Sequence, residues 1–170
     1  MKNSGAKNIH VIAHSMGNQI LLRTLESLAR DHTDIRFNQI ILAAPDVDKD
    51  EFELIAKGIS STANGITLYA SSTDVALNIS KRLRANHPRA GDVGQNGPTI
   101  LVGVDSIDIS AASTSVFAFN HDIYIEGPVL VSDIALLLRK GIRPPNARTP
   151  SFEHRSTGNG SYWLYAPTKR

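Results

Sequence analysis

The sequence contains no cysteine among its 170 residues. Disulfide bonds and a cysteine nucleophile are therefore excluded, and the composition fits a reducing compartment. Long apolar runs are also lacking, because no stretch approaches the roughly 18 consecutive apolar residues of a membrane span. The first residues, MKNSGAKN, lack the apolar run of a signal peptide. We expect a cytoplasmic protein without a membrane span.

A strong charge of one sign is lacking as well. The sequence has 18 Lys and Arg residues against 16 Asp and Glu residues, a net charge of +2, and its basic residues are scattered except near the end. No nucleic-acid partner is therefore expected. Among the six histidines, His10 and His14 have the H-x-x-x-H spacing, but His10 lies in a predicted strand and His14 in the turn after it, and the sequence has no H-E-x-x-H motif, so no metal site is expected either.

Short apolar runs alternate with segments whose apolar residues recur at helical spacing. Strands are predicted at residues 8–13, 39–44, 66–70 and 99–104, and helices at residues 16–30, 52–59, 75–83 and 129–138. This alternation predicts a doubly wound, mainly parallel α/β sheet with helices on both faces. We expect one domain over residues 1–143 and an irregular tail over 144–170, which begins at a Pro-Pro pair.

A candidate nucleophile lies between the first predicted strand and the first predicted helix. The segment Ala13-His14-Ser15-Met16-Gly17 is close to the G-x-S-x-G pattern of a nucleophile elbow. Small residues suit its two ends, where larger side chains would collide with the neighbouring strand and helix. Ser15 would then stand at a helix N-terminus, with the N–H of Met16 as an oxyanion donor.

The segment AHSMGN resembles the nucleophile segment of the α/β-hydrolase superfamily, in particular an esterase/lipase-like bacterial branch. Two later segments, AAPDVD at 43–48 and YASSTD at 69–74, also resemble that branch, so the likeness covers about residues 8 to 140. The resemblance implies the C-terminal half of the α/β-hydrolase fold. It also implies a triad in the chain order serine, acid, histidine.

Asp74 is the triad acid that the resemblance favours, and it lies shortly after a predicted strand. Two alternatives stay open. Asp74 could instead cap the helix that follows it, since Ser, Thr and Asp at 72–74 suit a helix start. Asp46, which follows the preceding strand, is the alternative acid, as in some lipase-like members of the superfamily.

His121 is the candidate general base. The base must lie in a loop after the last strand and before the final helix, and His121 meets that requirement. A surface histidine without a role is the alternative. The remaining histidines have neither position nor spacing in their favour: His10, His14, His32, His87 and His154.

A complete α/β-hydrolase has further strands before its nucleophile, and a loop among them donates the second oxyanion N–H. Lacking that donor costs on the order of 10²–10³ in rate. We therefore expect an N-terminally truncated serine hydrolase that acts on a small-molecule ester or related acyl bond and needs no cofactor. The alternative is an inactive fragment or non-catalytic module whose exposed sheet edge pairs with a missing N-terminal half, another chain or a second copy.

Overall fold

A six-stranded sheet forms the centre of the computed structural model, which describes residues 5–31, 35–73, 87–112 and 128–167. The strands are β1 (His10–His14), β2 (Gln39–Ala43), β3 (Ile66–Ala70), β4 (Val104–Asp108), β5 (Phe152–Thr157) and β6 (Gly160–Tyr165). Their order across the sheet is β1-β2-β3-β4-β6-β5. All neighbouring strands are parallel except the β5–β6 hairpin.

The helices are α1 (Gly17–Arg30), α2 (Lys49–Ile59), which continues into a 3-10 turn (Ser60–Thr62), α3 (Pro128–Lys140) and α4 (Pro145–Arg148). The first two and the third were predicted to within about three residues at each end. The helix predicted at 75–83 lies outside the described residues. None of the helices in the described part of the chain has the length and apolar character needed to cross a membrane.

Hydrophobic cores lie on both faces of the sheet. On one face Leu22 of α1 and Phe52 of α2 pack with Leu68 of β3. On the other face Leu137 of α3 packs with Tyr69 of β3. All five residues of β2 and all five of β3 are buried, which explains why their sequences are mostly apolar. The mainly parallel sheet with helices on both faces confirms the predicted fold class.

The strand predicted at 99–104 is wrong, because β4 begins only at Val104. Gly103 adopts a left-handed backbone (φ 81°), and the N–H of Val104 donates to the carbonyl of Leu101 at 3.2 Å, so the apolar residues before it form a turn. The strand itself is partly polar, with Asp105 paired to Arg143. An apolar pattern therefore could not identify β4.

The expectation of an irregular tail at 144–170 is wrong, because α4, β5 and β6 all lie within that range. Residues 152–157 and 160–165 form a hairpin closed by the two-residue loop Gly158-Asn159, a common hairpin connection. Strand β6 pairs in parallel with β4, so the main sheet continues beyond residue 143. Buried Phe152 packs edge-to-face on Tyr165, with ring centroids 5.9 Å apart.

A buried polar cluster attaches the C-terminal segment to the sheet. The carboxylate of Asp133, on α3, pairs with Arg148 of α4 at 2.8 Å and accepts hydrogen bonds from the hydroxyls of Thr149 and Tyr69. Asp133, Arg148 and Tyr69 are buried. Burial, together with the neighbouring carboxylate of Asp133, raises the pKa of the Tyr69 phenol well above its usual value.

This pKa shift predicts a specific loss of stability in alkali. A raised folded-state pKa contributes stability that is complete below the unfolded value, near 10, and is lost as the pH rises beyond it. Urea unfolding should show the free energy of unfolding falling by about 1.4 kcal/mol more per pH unit above about pH 10 in the wild type than in Tyr69→Phe. Tyr162→Phe, on β6, serves as the control and should follow the wild type. Equal slopes for wild type and Tyr69→Phe would show that Tyr69 ionises without opposing folding.

Candidate active site

The carboxyl ends of the parallel strands bring four polar segments to one edge of the sheet. Ser15 follows β1, residues 44–46 follow β2, residues 71–73 follow β3, and residues 108–110 end and follow β4. In open α/β sheets, ligands bind at this edge, outside the carboxyl ends of the strands. This edge is therefore the candidate active site.

Ser15 occupies a strained turn between β1 and α1. Its φ is 51°, a left-handed conformation that is uncommon for a residue with a Cβ atom. Its N–H donates to the carbonyl of Ala43 at 3.0 Å. Within the described residues no side chain caps α1, so the positive end of the helix dipole lies beside Ser15. The backbone therefore places this serine where a developing negative charge would be stabilised.

The small residues that flank Ser15 differ in what surrounds them. Ala13 is buried in β1. A Cβ atom added to Gly17, by contrast, would meet no atom of the described residues within 4 Å. The collision expected at Gly17 is not seen among the described residues, where Gly17 is exposed.

The turn after β2 interlocks with the serine turn. Ala44 also has a left-handed backbone, with φ 42°. The N–H of Asp46 donates to the carbonyl of Ser15 at 3.2 Å, and the side-chain amide of Gln19, on α1, donates to the carbonyl of Asp46 at 2.8 Å. Two neighbouring turns with unusual backbones thus support each other.

Asp46, the alternative acid, is already paired. Its carboxylate accepts a hydrogen bond from the guanidinium of Arg89 at 2.7 Å, and both side chains are buried. A charge-assisted contact of this kind stabilises the carboxylate and fixes its orientation. The pair joins the β2 turn to the loop that contains residues 88–98.

That loop approaches the β2 turn closely at Gly91. Gly91 donates its N–H to the carbonyl of Pro45 at 3.0 Å and accepts a hydrogen bond from the N–H of Ser71 at 2.9 Å. A Cβ atom at Gly91 would lie 2.6 Å from the carbonyl carbon of Ala44 and 2.6 Å from the nitrogen of Pro45. Only glycine allows this backbone-to-backbone contact.

The other two members of the predicted triad, Asp74 and His121, lie outside the described residues. Asp74 directly follows the described segment 71–73, at the carboxyl end of β3. His121 follows β4 and the described residues up to 112 in the chain. Met16, the expected oxyanion donor, adopts a helical backbone (φ −60°, ψ −24°) immediately before α1.

The sequence reading missed a network that joins the segments leading to Asp74 and His121. The carboxylate of Asp108 accepts a hydrogen bond from the N–H of Ser110 at 2.8 Å. The hydroxyl of Ser110 in turn accepts the N–H of Ser72 at 2.9 Å. The spacing Asp-x-Ser, typical of a turn in which aspartate binds the backbone two residues on, was a signal that could have located it.

Asn18 is a second residue that the sequence reading missed. It lies on the first turn of α1, and its side chain is fully buried beneath the serine turn. A polar residue in an amphipathic helix is usually read as solvent-exposed, so the pattern gave no sign of this position.

A protein-family model described as "Alpha/beta hydrolase of unknown function (DUF900)" matches residues 1–140. The match includes Ser15, Met16, Asp46, Asp74 and His121. No curated protein and no solved structure gives a significant match to the chain.

The contact at Gly91 predicts a stability difference within one loop. Gly91→Ala should lower the free energy of unfolding by about 1–3 kcal/mol, because the added methyl group overlaps backbone atoms that cannot rotate away. Gly94→Ala is the matched control: its Cβ would lie 3.9 Å from the nearest atom, the carbonyl oxygen of Gly97. That variant should stay within about 0.5 kcal/mol of the wild type. Equal urea midpoints for the two variants would contradict the close contact.

Proposed function

We propose that this chain, which belongs to an α/β-hydrolase family of unknown function by the match of the family model to residues 1–140, is a serine hydrolase. The proposed reaction is hydrolysis of a carboxylic ester or related acyl bond through an acyl-serine intermediate. The observation that carries the proposal is the left-handed backbone of Ser15 between a parallel strand and a helix N-terminus. Such a strained turn is typical of a nucleophile elbow.

The proposed chemistry follows the serine–histidine–acid scheme. His121 removes the proton of the Ser15 hydroxyl as its oxygen attacks the acyl carbon, and then gives that proton to the leaving alcohol. Water attacks the acyl-serine in a second round, with His121 again as the base. Asp74 holds the imidazole orientation and stabilises the imidazolium. The N–H of Met16 donates to the oxyanion. No cofactor enters these steps.

The buried pair of Asp46 and Arg89 supports Asp74 as the acid. The carboxylate of Asp46 already has a cationic partner at 2.7 Å, and its backbone N–H and carbonyl are also hydrogen-bonded. As the triad acid, Asp46 would have to orient a histidine and keep its contact with Arg89 at the same time, because a buried guanidinium without its anion is strongly unfavourable. The described segment 71–73, which ends just before Asp74 in the sequence, lies at the same edge of the sheet as Ser15.

The alternative function would use a different part of the sheet from the candidate active site. The alternative function, a non-catalytic module, would use β1, whose one partner strand among the described residues is β2. The side chain of Ile12 on β1 is 51% exposed. Unpaired N–H and C=O groups along such a strand can bind another chain, including a second copy. The Ser15 turn has no part in that function, so tests of Ser15 reactivity separate the two.

The central prediction concerns covalent labelling by a fluorophosphonate, which reacts with activated serines without substrate recognition. The wild-type chain should be labelled, and tryptic mapping should place the label on Ser15. Ser15→Ala should abolish labelling. His121→Ala should slow it by at least about 10³-fold, because the hydroxyl then lacks its base.

Ser27→Ala is the matched control, because it removes a serine from α1, the helix that follows Ser15, and the hydroxyl of Ser27 has an exposed contact with Asp31. It should be labelled at the wild-type rate. A folded wild-type chain that is not labelled, or is labelled equally in Ser15→Ala, would reject the proposed nucleophile and leave the docking module as the stronger function.

A second prediction separates the two candidate acids. Asp74→Asn should slow labelling more than about 100-fold with little change in the urea midpoint, because an amide cannot stabilise the imidazolium. Asp46→Asn should instead lower the free energy of unfolding by about 3–5 kcal/mol, because Arg89 loses its buried anion.

The double variant Asp46→Asn/Arg89→Gln removes both charges, so that no buried charge is left without a partner. Its labelling rate can therefore be measured in a folded protein. It should recover stability relative to Asp46→Asn and label near the wild-type rate. Slow labelling in this folded double variant, together with wild-type labelling in Asp74→Asn, would identify Asp46 as the acid.

A further inference from the structure

The side chain of Asn18 contacts both ends of the serine turn. Its amide nitrogen donates to the carbonyl of Ser15 at 3.0 Å and to the carbonyl of Ala43, at the end of β2, at 3.3 Å. Two carbonyl acceptors fix which side of the amide group faces them, because the amide oxygen cannot donate. Asn18 has 0% relative exposure, so water does not compete for these contacts.

Neither carbonyl needs Asn18 to satisfy its hydrogen-bonding capacity. The carbonyl of Ser15 also accepts the backbone N–H groups of Asn18, at 3.1 Å, and Asp46, at 3.2 Å. The carbonyl of Ala43 also accepts the N–H of Ser15 at 3.0 Å. Removing the side-chain amide would therefore leave no orphaned backbone group.

The oxygen of the Asn18 amide, unlike its nitrogen, is unfavourable for stability. The oxygen of the Asn18 side chain is buried and has no hydrogen-bond partner within the described residues. A buried acceptor without a partner opposes folding, since it has given up its hydrogen bonds with water. An apolar residue would avoid that penalty, so stability alone does not account for an asparagine here.

We infer that Asn18 is a positioning residue for Ser15. Its amide holds the carbonyls of Ser15 and Ala43 at fixed separation and thereby restrains the left-handed backbone of Ser15. That backbone sets the direction of the bond from Cα to Cβ, and hence the path along which the serine hydroxyl can approach an acyl carbon. The inference rests on the proposed function, because it assigns Asn18 a part in the reactivity of that serine.

The test compares three variants in the full chain. Asn18→Ala removes the two donors, and Asn18→Ser returns one, because a helical serine hydroxyl can donate to the carbonyl three residues earlier, which is that of Ser15. Thr62→Val is the matched control, since it removes another buried hydrogen bond from a side chain to a carbonyl, that of Thr62 to Ile59 at 2.7 Å, in the 3-10 turn after α2.

Fluorophosphonate labelling should slow about 10- to 100-fold in Asn18→Ala, as expected for a small misplacement of a reacting group. Asn18→Ser should recover a large part of that rate, and Thr62→Val should keep the wild-type rate. Each rate is measured with the urea midpoint, so that slow labelling is compared among folded proteins. Wild-type labelling in folded Asn18→Ala, or equal slowing in Thr62→Val, would overturn the inference.

Amide hydrogen exchange gives a readout that does not depend on activity. Under native conditions Asn18→Ala should exchange faster than wild type in the peptide that covers residues 15–19, and Thr62→Val should not. If the wild-type chain does not label at all, the proposed function fails, and the exchange rates alone decide the role of Asn18. Unchanged exchange in Asn18→Ala would then reject the restraint.

Discussion

The site depends on the hydrogen bonds that hold two left-handed turns together at the ends of β1 and β2. The N–H of Ser15 binds the carbonyl of Ala43, and the N–H of Asp46 binds the carbonyl of Ser15 in return. Ser15 and Ala44 both have positive φ, a conformation that persists only where surrounding structure enforces it. The parallel pairing of β1 with β2 brings the turns side by side, so the sheet itself supports the strain.

Further contacts close around these turns from the rest of the chain. The buried pair of Asp46 and Arg89 joins the β2 turn to the loop that contains residues 88–98, and the backbone of Gly91 bridges Pro45 and Ser71. The segment after β3, which leads to Asp74, is thereby connected to the serine turn through backbone hydrogen bonds. On the face of the sheet that α3 covers, the cluster around Asp133 attaches the C-terminal segment to the sheet.

The fold class and the Ser15 turn could be predicted because they depend on local patterns. Strands such as β3, buried on both faces, give nearly continuous apolar runs. A serine with small residues two positions before and after it, between a strand and a helix, gives a recognisable spacing. Strand β4 could not be predicted in that way, since its Asp105 pairs with Arg143, 38 residues later. Asn18 was missed for the same reason: its side chain binds the carbonyl of Ala43, 25 residues later.

The central claim is that Ser15 forms a covalent acyl intermediate, and trapping that intermediate tests it most directly. The full chain is incubated briefly with a nitrophenyl ester, quenched in acid, digested and analysed by mass spectrometry. The account predicts an acyl group on the peptide that contains Ser15, which accumulates when acylation is faster than hydrolysis. Ester turnover with the acyl group on another residue, or turnover that persists unchanged in Ser15→Ala, would contradict it.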